Sequence, residues 1–275
     1  MDFNFSDDQE QLRDAVSKWV ERGYDFERRR GITAAGGFSR DAYNELAELG
    51  LTGLTLSEPL GGLGMGPVES MVVMEALGHG IVLEPLTQAL MAGVLLSQYA
   101  APDVQQAWGG ALATGEALMV LATQERKNRY RLDQCETRAE RQGDAWVITG
   151  SKSVVSVADQ ADAFIVPAMA QGKLGLFVVA RSAVGVETRG YLTQDGARAG
   201  ELTLKGAPAQ CLTQDGLAAL EHAVDVGIAA LCAEAIGVMD KTLAITVEYL
   251  NTRKQFGVTI GSFQALRHRV ADMKM

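Results

Sequence analysis

The sequence predicts an α+β chain: an N-terminal helical domain, a β-rich barrel or sandwich in the middle, and the start of a C-terminal helical bundle. Three observations predict it. Apolar residues recur at helical spacing through residues 1–115, short apolar runs between turn signals fill residues 117–212, and the helical period returns after Asp215. Runs of helices and runs of strands, kept apart rather than alternating, mark this class. The expected domains are 1–115, 116–213 and 214–275.

Each element has its own signal. Ser6 and Gln9 are spaced as a capping box, with Asp7 and Asp8 where the helix dipole favours acids. Leu12, Val16, Trp19 and Val20 make the apolar stripe that follows. Glu27-Arg28-Arg29-Arg30 reads as a solvated face or loop. Ser39 caps a second helix, whose Tyr43, Leu46, Ala47 and Leu49 end at Gly50, a left-handed stop. Pro67 opens a third helix at its first turn, and residues 86–98 and 102–114 read as two more. Gly61 to Gly66 is a glycine-rich turn rather than a phosphate loop, because no clear strand precedes it and the GxGxxG spacing is absent. Strands are expected at Ala117 to Thr123, at Trp146 to Ile148 after the Gly143-Asp144 turn, at Ala163 to Val166, at Leu174 to Ala180 and at Glu201 to Leu204. Val224, Ile228, Leu231, Ala235, Met239, Thr242 and Ile245 then share one face of a helix of about 35 residues, ~50 Å long at 1.5 Å per residue. Leu243 and Val247 make other faces apolar too, so several neighbours must cover this helix.

Composition narrows the function classes. With 47% hydrophobic and 21% charged residues, the 275-residue chain is an ordinary globular protein able to bury a core. A formal charge of −9 argues against nonspecific nucleic-acid binding, which needs clustered Lys and Arg. Cys135, Cys211 and Cys232 are dispersed and odd in number, which indicates neither a zinc site nor a disulfide framework. His79, His222 and His268 lack metal-ligand spacing. Met1 leads straight into an acidic segment, and no uninterrupted apolar run of ~18 residues marks a membrane span, so the cytoplasm is the default expectation.

The richest stretch is Tyr249 to Met275. A long helix ends there, the chain breaks at Gly257, and a second helix is expected after Gly261 with Ser262 as its N-cap. Between the helices, Arg253, Gln255 and Phe256 stand beside Gly257. A guanidinium can grip a phosphate with two prongs, while an amide and a ring can fix a flat heterocycle, so the set suits a dinucleotide. The alternative is an Arg at a helix end with Phe256 in the core.

Arg253-Lys-Gln-Phe-Gly, then Ile260, Phe263-Gln264 and Ala271-Asp272-Met273, resembles the signature of the acyl-CoA dehydrogenase family. Phe5-Ser-Asp-Asp-Gln-Glu and Glu58-Pro-Leu-Gly-Gly-Leu-Gly-Met-Gly are similar to it as well, so the resemblance covers essentially the whole chain. Within the family it leans towards the small-subunit, pimeloyl-CoA-dehydrogenase-like branch. The resemblance implies FAD as cofactor, an acyl-CoA substrate, an acceptor of the electron-transfer flavoprotein type, and a homo- or hetero-oligomer. It places Leu121, Ala122 and Thr123 against the flavin ring, and Val155 and Ser156 at its reactive edge, with Val154 standing where the family carries a stacking Trp. Arg253, Gln255, Phe256, Phe263 and Gln264 would reach the FAD of a neighbouring subunit.

Two departures stand out against that family pattern. The small residues of the family's loop after Thr123 are replaced here by Arg126, Lys127 and Arg129, charges that would meet either solvent or CoA phosphates. The reaction needs a carboxylate base. Where a minority of the family carries it on the long helix this chain has Gly227, followed by Ile228 in place of a substrate-side Arg, and most of the family carry it beyond the position of Met275. The catalytic base is therefore unknown from the sequence. Besides the dehydrogenase, two readings stand open: a non-catalytic subunit of a heteromeric dehydrogenase, and a flavin oxygenase on the same fold.

Overall fold

The computed structural model describes residues 4–128, 130–143 and 145–275. Six helices come first: α1 Asp7–Gly23, α2 Phe26–Ala34, α3 Arg40–Glu48, α4 Pro67–Gly78, α5 Leu86–Gln98 and α6 Pro102–Ala113. The local signals operate as chemistry. Ser6 Oγ accepts the Gln9 amide while the Gln9 side chain accepts the Ser6 amide, closing the capping box. Ser39 Oγ accepts the Ala42 amide, and Gly50 takes φ 78° just past α3.

One helix was unforeseen. Residues 26–34 form α2, capped by Asp25, so the basic run is not a loop. Its charges are also not simply solvated. Arg28 forks both oxygens of Glu45 at 2.7 and 2.9 Å, and Trp19 Nε1 donates to the same carboxylate at 2.8 Å. That two-pronged bridge locks α2 onto α1 and α3.

The middle of the chain holds seven strands: β1 Met119–Leu121, β2 Arg138–Gln142, β3 Ala145–Ser156, β4 Ala163–Ala170, β5 Lys173–Ala180, β6 Val186–Leu192 and β7 Arg198–Thr213. The order β4-β2-β3-β7-β5 closes on itself through β4–β5 pairing, with β1 parallel to β4 and β6 antiparallel to β7 outside the ring. Closure removes the open edges that an exposed sheet would leave. Its interior is a separate apolar core built on Val120, Ala122, Ile148, Phe164, Phe177 and Leu202. β2 and β6 gave no sequence signal, because Arg138–Gln142 and Val186–Leu192 are mostly exposed or half-exposed strands without strict alternation. The expected turn residue Asp144 lies outside the described residues, as does Arg129 of the 124–130 loop.

α7 runs from Gly216 to Thr252, 37 residues, and packs on α4 and α5. The face it buries differs from the one its large apolar residues predict. Gly216, Ala219, Ala223, Gly227, Ala230, Ala233 and Gly237 are buried, whereas Ile228, Leu231, Met239 and Ile245 are 54–61% exposed. The cause is close approach of two backbones. A Cβ at Gly237 would stand 2.0 Å from the Glu75 carbonyl oxygen, and one at Gly78 would stand 2.2 Å from that of Glu234. Only a stripe of small residues lets α4 and α7 touch, so the larger ones point elsewhere. By length and composition alone α7 could cross a bilayer, with mean hydropathy 1.5 over its most apolar 18 residues.

The chain then makes a two-residue hairpin, β8 Lys254–Gln255 and β9 Val258–Thr259, with Phe256 at φ 54° and Gly257 at φ 81°. Two successive positive φ values define the turn whose twist suits such a hairpin. The last helix, α8, spans Gln264–Lys274. Ser262 is not its cap, contrary to expectation. Ser262 sits in a 3₁₀ turn and donates its hydroxyl to the Thr259 carbonyl at 2.7 Å, while Phe263 occupies the cap position with no side-chain bond.

Candidate functional site

A cavity of about 480 Å³ opens where the three parts of the chain meet. The pleat of two strands sorts the expected cofactor residues into two sets. Leu121 and Thr123 face the cavity, and so do Val154 and Ser156. Ala122 and Val155, between them, are buried in the barrel core and cannot present side chains there. Alternation explains the sorting, since neighbours on a strand point to opposite faces. The Leu121 amide is also occupied, because it donates to Gln88 Oε1 at 2.9 Å and ties β1 to α5. The hydroxyls of Thr123 and Ser156 have no hydrogen-bond partner among the described residues.

Val154 owes its place to a break in the ladder. Between Lys152 and Val155 the β3–β7 register shifts, and Val154 takes φ 54°. A β-branched residue in left-handed backbone is strained, and such strain persists where the surroundings over-determine it. Ile81 on the cavity's other side has φ 49°. Among the described residues, two of the three β-branched residues at positive φ therefore line this one space, the third being Val157 with φ 41°.

The opposite wall is helical. α4 gives Met74 and Leu77, α5 gives Gln88 and Met91, and α7 gives Val224, Gly227, Ile228, Leu231 and Glu234. At Gly227 the α7 wall faces α5: a Cβ there would meet Met91 Sδ at 2.7 Å. No carboxylate stands at that position.

Three carboxylates, Glu84, Asp195 and Glu234, line the cavity. Glu84 is 4% exposed; its Oε1 accepts the Ser39 amide at 3.1 Å, and its Oε2 has no partner of good hydrogen-bond geometry. Burial pushes its pKa up, opposed by the nearby Tyr24 hydroxyl, which itself accepts the Leu83 amide at 3.1 Å. Burial also raises Glu234, with a further push from Asp195. Asp195 is held low by the Thr193 hydroxyl and by the Ala197 amide. Arg29 is the cation among them, yet its nitrogens donate to the carbonyls of Ile81 and Asp195, both at 2.8 Å. Glu84 precedes Pro85 and reads in sequence as an ordinary acid ahead of a helix, so nothing local could have marked it.

A buried ion pair organises the loop leading out of the cavity. Lys152 Nζ donates to Glu125 Oε1 at 2.8 Å, with side-chain exposures of 0% and 5%. Glu125 also accepts from Thr137 Oγ1, the amides of Glu136 and Thr137, and Asn128 Nδ2. Burial opposes its charge, but these donors and Lys152 hold its pKa near 2. The pair is 27 residues apart in sequence and gave no signal. In the same loop, Lys127 pairs with Glu136 and Arg126 lies 3.7 Å from Glu201, both at the exposed surface.

Arg253, Gln255, Phe256, Phe263 and Gln264 are elsewhere. All five are exposed, and Gln255 Nε2 donates to the neighbouring Lys254 carbonyl. Phe256 is 92% exposed and meets Phe263 edge-on at 6.2 Å, so it is not a core residue. Gly227 and Arg253 are separated by ~39 Å of helix at 1.5 Å per residue. This protomer's cavity does not include the hairpin.

Comparison with known proteins places this architecture. Residues 6–116 match the acyl-CoA dehydrogenase N-terminal domain, residues 121–207 its middle domain, and residues 214–275 its C-terminal domain. Acyl-CoA dehydrogenase FadE27 of Mycobacterium tuberculosis is 30% identical over 239 residues, covering 86% of this chain; the chain spans 62% of that relative's length. The solved structure of the Tcur3481-Tcur3483 steroid ACAD is 30% identical with a TM-score of 0.87, over 96% of this chain and 72% of that one. The ChsE4-ChsE5 complex from Mycobacterium tuberculosis gives 29% and 0.85, over 99% and 74%. With barrel, helical layers and all three domain patterns in register, the chain belongs to the acyl-CoA dehydrogenase family.

Proposed function

We propose that this chain binds FAD and an acyl-CoA thioester in the 480 Å³ cavity and serves α,β-dehydrogenation of the thioester. One observation carries this reading: the pleat brings Leu121, Thr123, Val154 and Ser156 onto one wall, facing helices that offer apolar side chains. That wall fits a flavin ring, since Leu121 and Val154 are apolar and Thr123 and Ser156 offer hydroxyls without a protein partner. When bound, FAD supplies the hydride acceptor. Ser156 then donates a hydrogen bond at the reactive edge, and Thr123 orients the ring. Met74, Leu77, Met91 and Ile228 exclude water from the acyl group, which strengthens every polar contact inside. Arg253, Gln255, Phe256, Phe263 and Gln264 are proposed to engage the FAD of a neighbouring subunit, in a homo- or hetero-oligomer that passes electrons to a flavoprotein acceptor. Within the family the small-subunit, pimeloyl-CoA-dehydrogenase-like branch is our preferred placement, on the N-terminal and signature stretches.

A second reading is favoured by Gly227. A dehydrogenase lacking its α-proton acceptor loses ~10²–10⁴-fold in rate, and in that case the chain acts as a subunit whose partner supplies the base. The test is anaerobic: the FAD-loaded chain is mixed with saturated acyl-CoAs while the flavin absorbance is followed. Flavin retained by the wild type, and weakened roughly fivefold to 150-fold in T123A/S156A at about 0.5–1.5 kcal/mol for each of the two hydrogen bonds, supports the cavity assignment. Flavin affinity unchanged in that variant overturns it. Bleaching only after a partner subunit is added selects the second reading.

A further inference from the structure

A second hollow, of about 400 Å³, lies beside the first cavity, between α1, α2, α4 and the later turns of α7. Among the described residues the two spaces have only Arg29 and Ile81 in common. One stripe of α7 runs along both. Gly227, Leu231 and Glu234 line the cavity, and Lys241 and Ile245 line the hollow, at spacings that keep residues on one side of a helix. From Glu234 to Lys241 is ~10 Å at 1.5 Å per residue, so the two spaces lie end to end. What divides them is held in place. Arg29 Nε donates to the Ile81 carbonyl and Nη2 to the Asp195 carbonyl, both at 2.8 Å, which strings the guanidinium between the segment after α4 and the turn before β7. Ile81 has φ 49°, a strained backbone that a β-branched residue keeps only where its surroundings enforce it. The Arg29 bond to its carbonyl is one such restraint. Beyond this divide the hollow offers Val20, Ala76 and Ile245 as apolar lining.

Resting on the acyl-thioester reading of this cavity, we propose that Arg29 and Ile81 form the end wall that sets the longest acyl tail the chain accepts. A tail that stops short of the wall packs on Met74, Leu77 and Leu231 and never touches it. A longer tail meets a guanidinium tied to two carbonyls. To pass, it must break both hydrogen bonds and leave the two carbonyls without their donor, for apolar contact alone. Each CH₂ that is fully buried tightens binding about fourfold, or ~0.8 kcal/mol. Affinity therefore climbs with tail length until the wall is reached and then levels off. With the wall removed, the tail runs on along the α7 stripe into the hollow, and the climb continues.

The test measures binding of straight-chain saturated acyl-CoAs of increasing length to the FAD-loaded protein by calorimetry, for the wild type and for Arg29→Ala. The wild type should show a length at which affinity stops rising. In Arg29→Ala that length should move up by at least two carbons, with the first thioester two carbons past the wild-type limit bound at least fivefold tighter than by the wild type. Two fully buried CH₂ groups would give about fifteenfold, and the hollow is partly open to solvent. Thioesters below the limit should bind both proteins within twofold of each other, which a general loosening of the fold would not leave intact. Circular dichroism checks folding. If Arg29→Ala does not fold, Ile81→Gly decides by the same criteria, since glycine takes the positive φ without strain and removes the side chain from the wall. An unmoved limit in the folded variant, or a wild type whose affinity rises at every length, overturns the end wall while leaving the cavity reading intact. Failure of every thioester to bind the wild type overturns the cavity reading, and the end wall with it.

Discussion

Lys152 is the residue whose loss should be felt most clearly in the loop beside the cavity. Truncating its charge by Lys152→Met leaves Glu125 buried at 6% exposure without its ammonium partner at 2.8 Å. Breaking a buried pair from one side costs ~3–5 kcal/mol. Glu125 keeps its bonds from Thr137, Asn128 and the two amides, so the lower end, about 3 kcal/mol, is expected here. Glu125→Ala should cost more, because it strands a fully buried ammonium together with all of those donors, each unmet donor adding about 1–3 kcal/mol. Urea unfolding followed by circular dichroism reads the difference. With a slope of about 3 kcal/mol/M for a chain of this size, Lys152→Met should lower the midpoint by ~1 M. A shift below ~0.3 M, or a milder effect for Glu125→Ala than for Lys152→Met, would refute the reasoning.

Gly237→Ala should destabilise strongly, because its Cβ would fall 2.0 Å from the Glu75 carbonyl and only backbone movement of α4 or α7 can relieve that; thermal unfolding checks it. Gly227→Ala should be far milder, since the atom in the way is the flexible end of Met91. Acid sensitivity should follow Glu125, whose folded pKa of about 2 lies below its ordinary value of 4.5. Its stabilising contribution is full above the ordinary value and disappears as pH falls through about 2, so Glu125→Gln should flatten the loss of stability across that window in acid titrations. Arg253→Ala should weaken flavin retention in the assembled oligomer; affinity equal to wild type would leave Arg253 as no more than a surface residue at a helix end. The chain on its own should not be bleached by any saturated acyl-CoA, and prompt bleaching would show that a base is present despite Gly227.

How much was legible in the sequence depended on how local the cause was. Caps, proline starts and the exact span of α5 depend on neighbours within a turn or so, and the boundaries at Ser6, Ser39, Pro67 and Leu86 follow from them. Ser262 failed as a cap for a reason equally local but unreadable beforehand. The hairpin turn at Phe256-Gly257 delivers the chain into a 3₁₀ turn, where the hydroxyl finds the Thr259 carbonyl before any helix begins. At the site, the resemblance pointed to Leu121–Thr123 and to Val155 and Ser156, and the pleat leaves Leu121, Thr123 and Ser156 facing the cavity while Ala122 and Val155 turn into the barrel core. That rule was available from the sequence once the cavity face of either strand was known.

The long helix shows why the remainder was hidden. Counting large apolar residues assumes that burial is chosen by side-chain size, and on α7 it is chosen by the distance between backbones. Gly78 and Gly237 allow α4 to lie directly on α7, and that contact turns Ile228, Leu231 and Glu234 towards the cavity instead of the core. The same rotation brings a carboxylate on α7 into the space that holds Glu84, from a segment 150 residues away in sequence. The place of Glu234 on the cavity wall is therefore a consequence of two glycines that carry no chemistry of their own. A side chain at either position would force α7 off α4, so Gly78→Ala should lower the melting temperature, because its Cβ would fall 2.2 Å from the Glu234 carbonyl oxygen. A melting temperature equal to wild type in Gly78→Ala would show that backbone approach does not set how α7 packs.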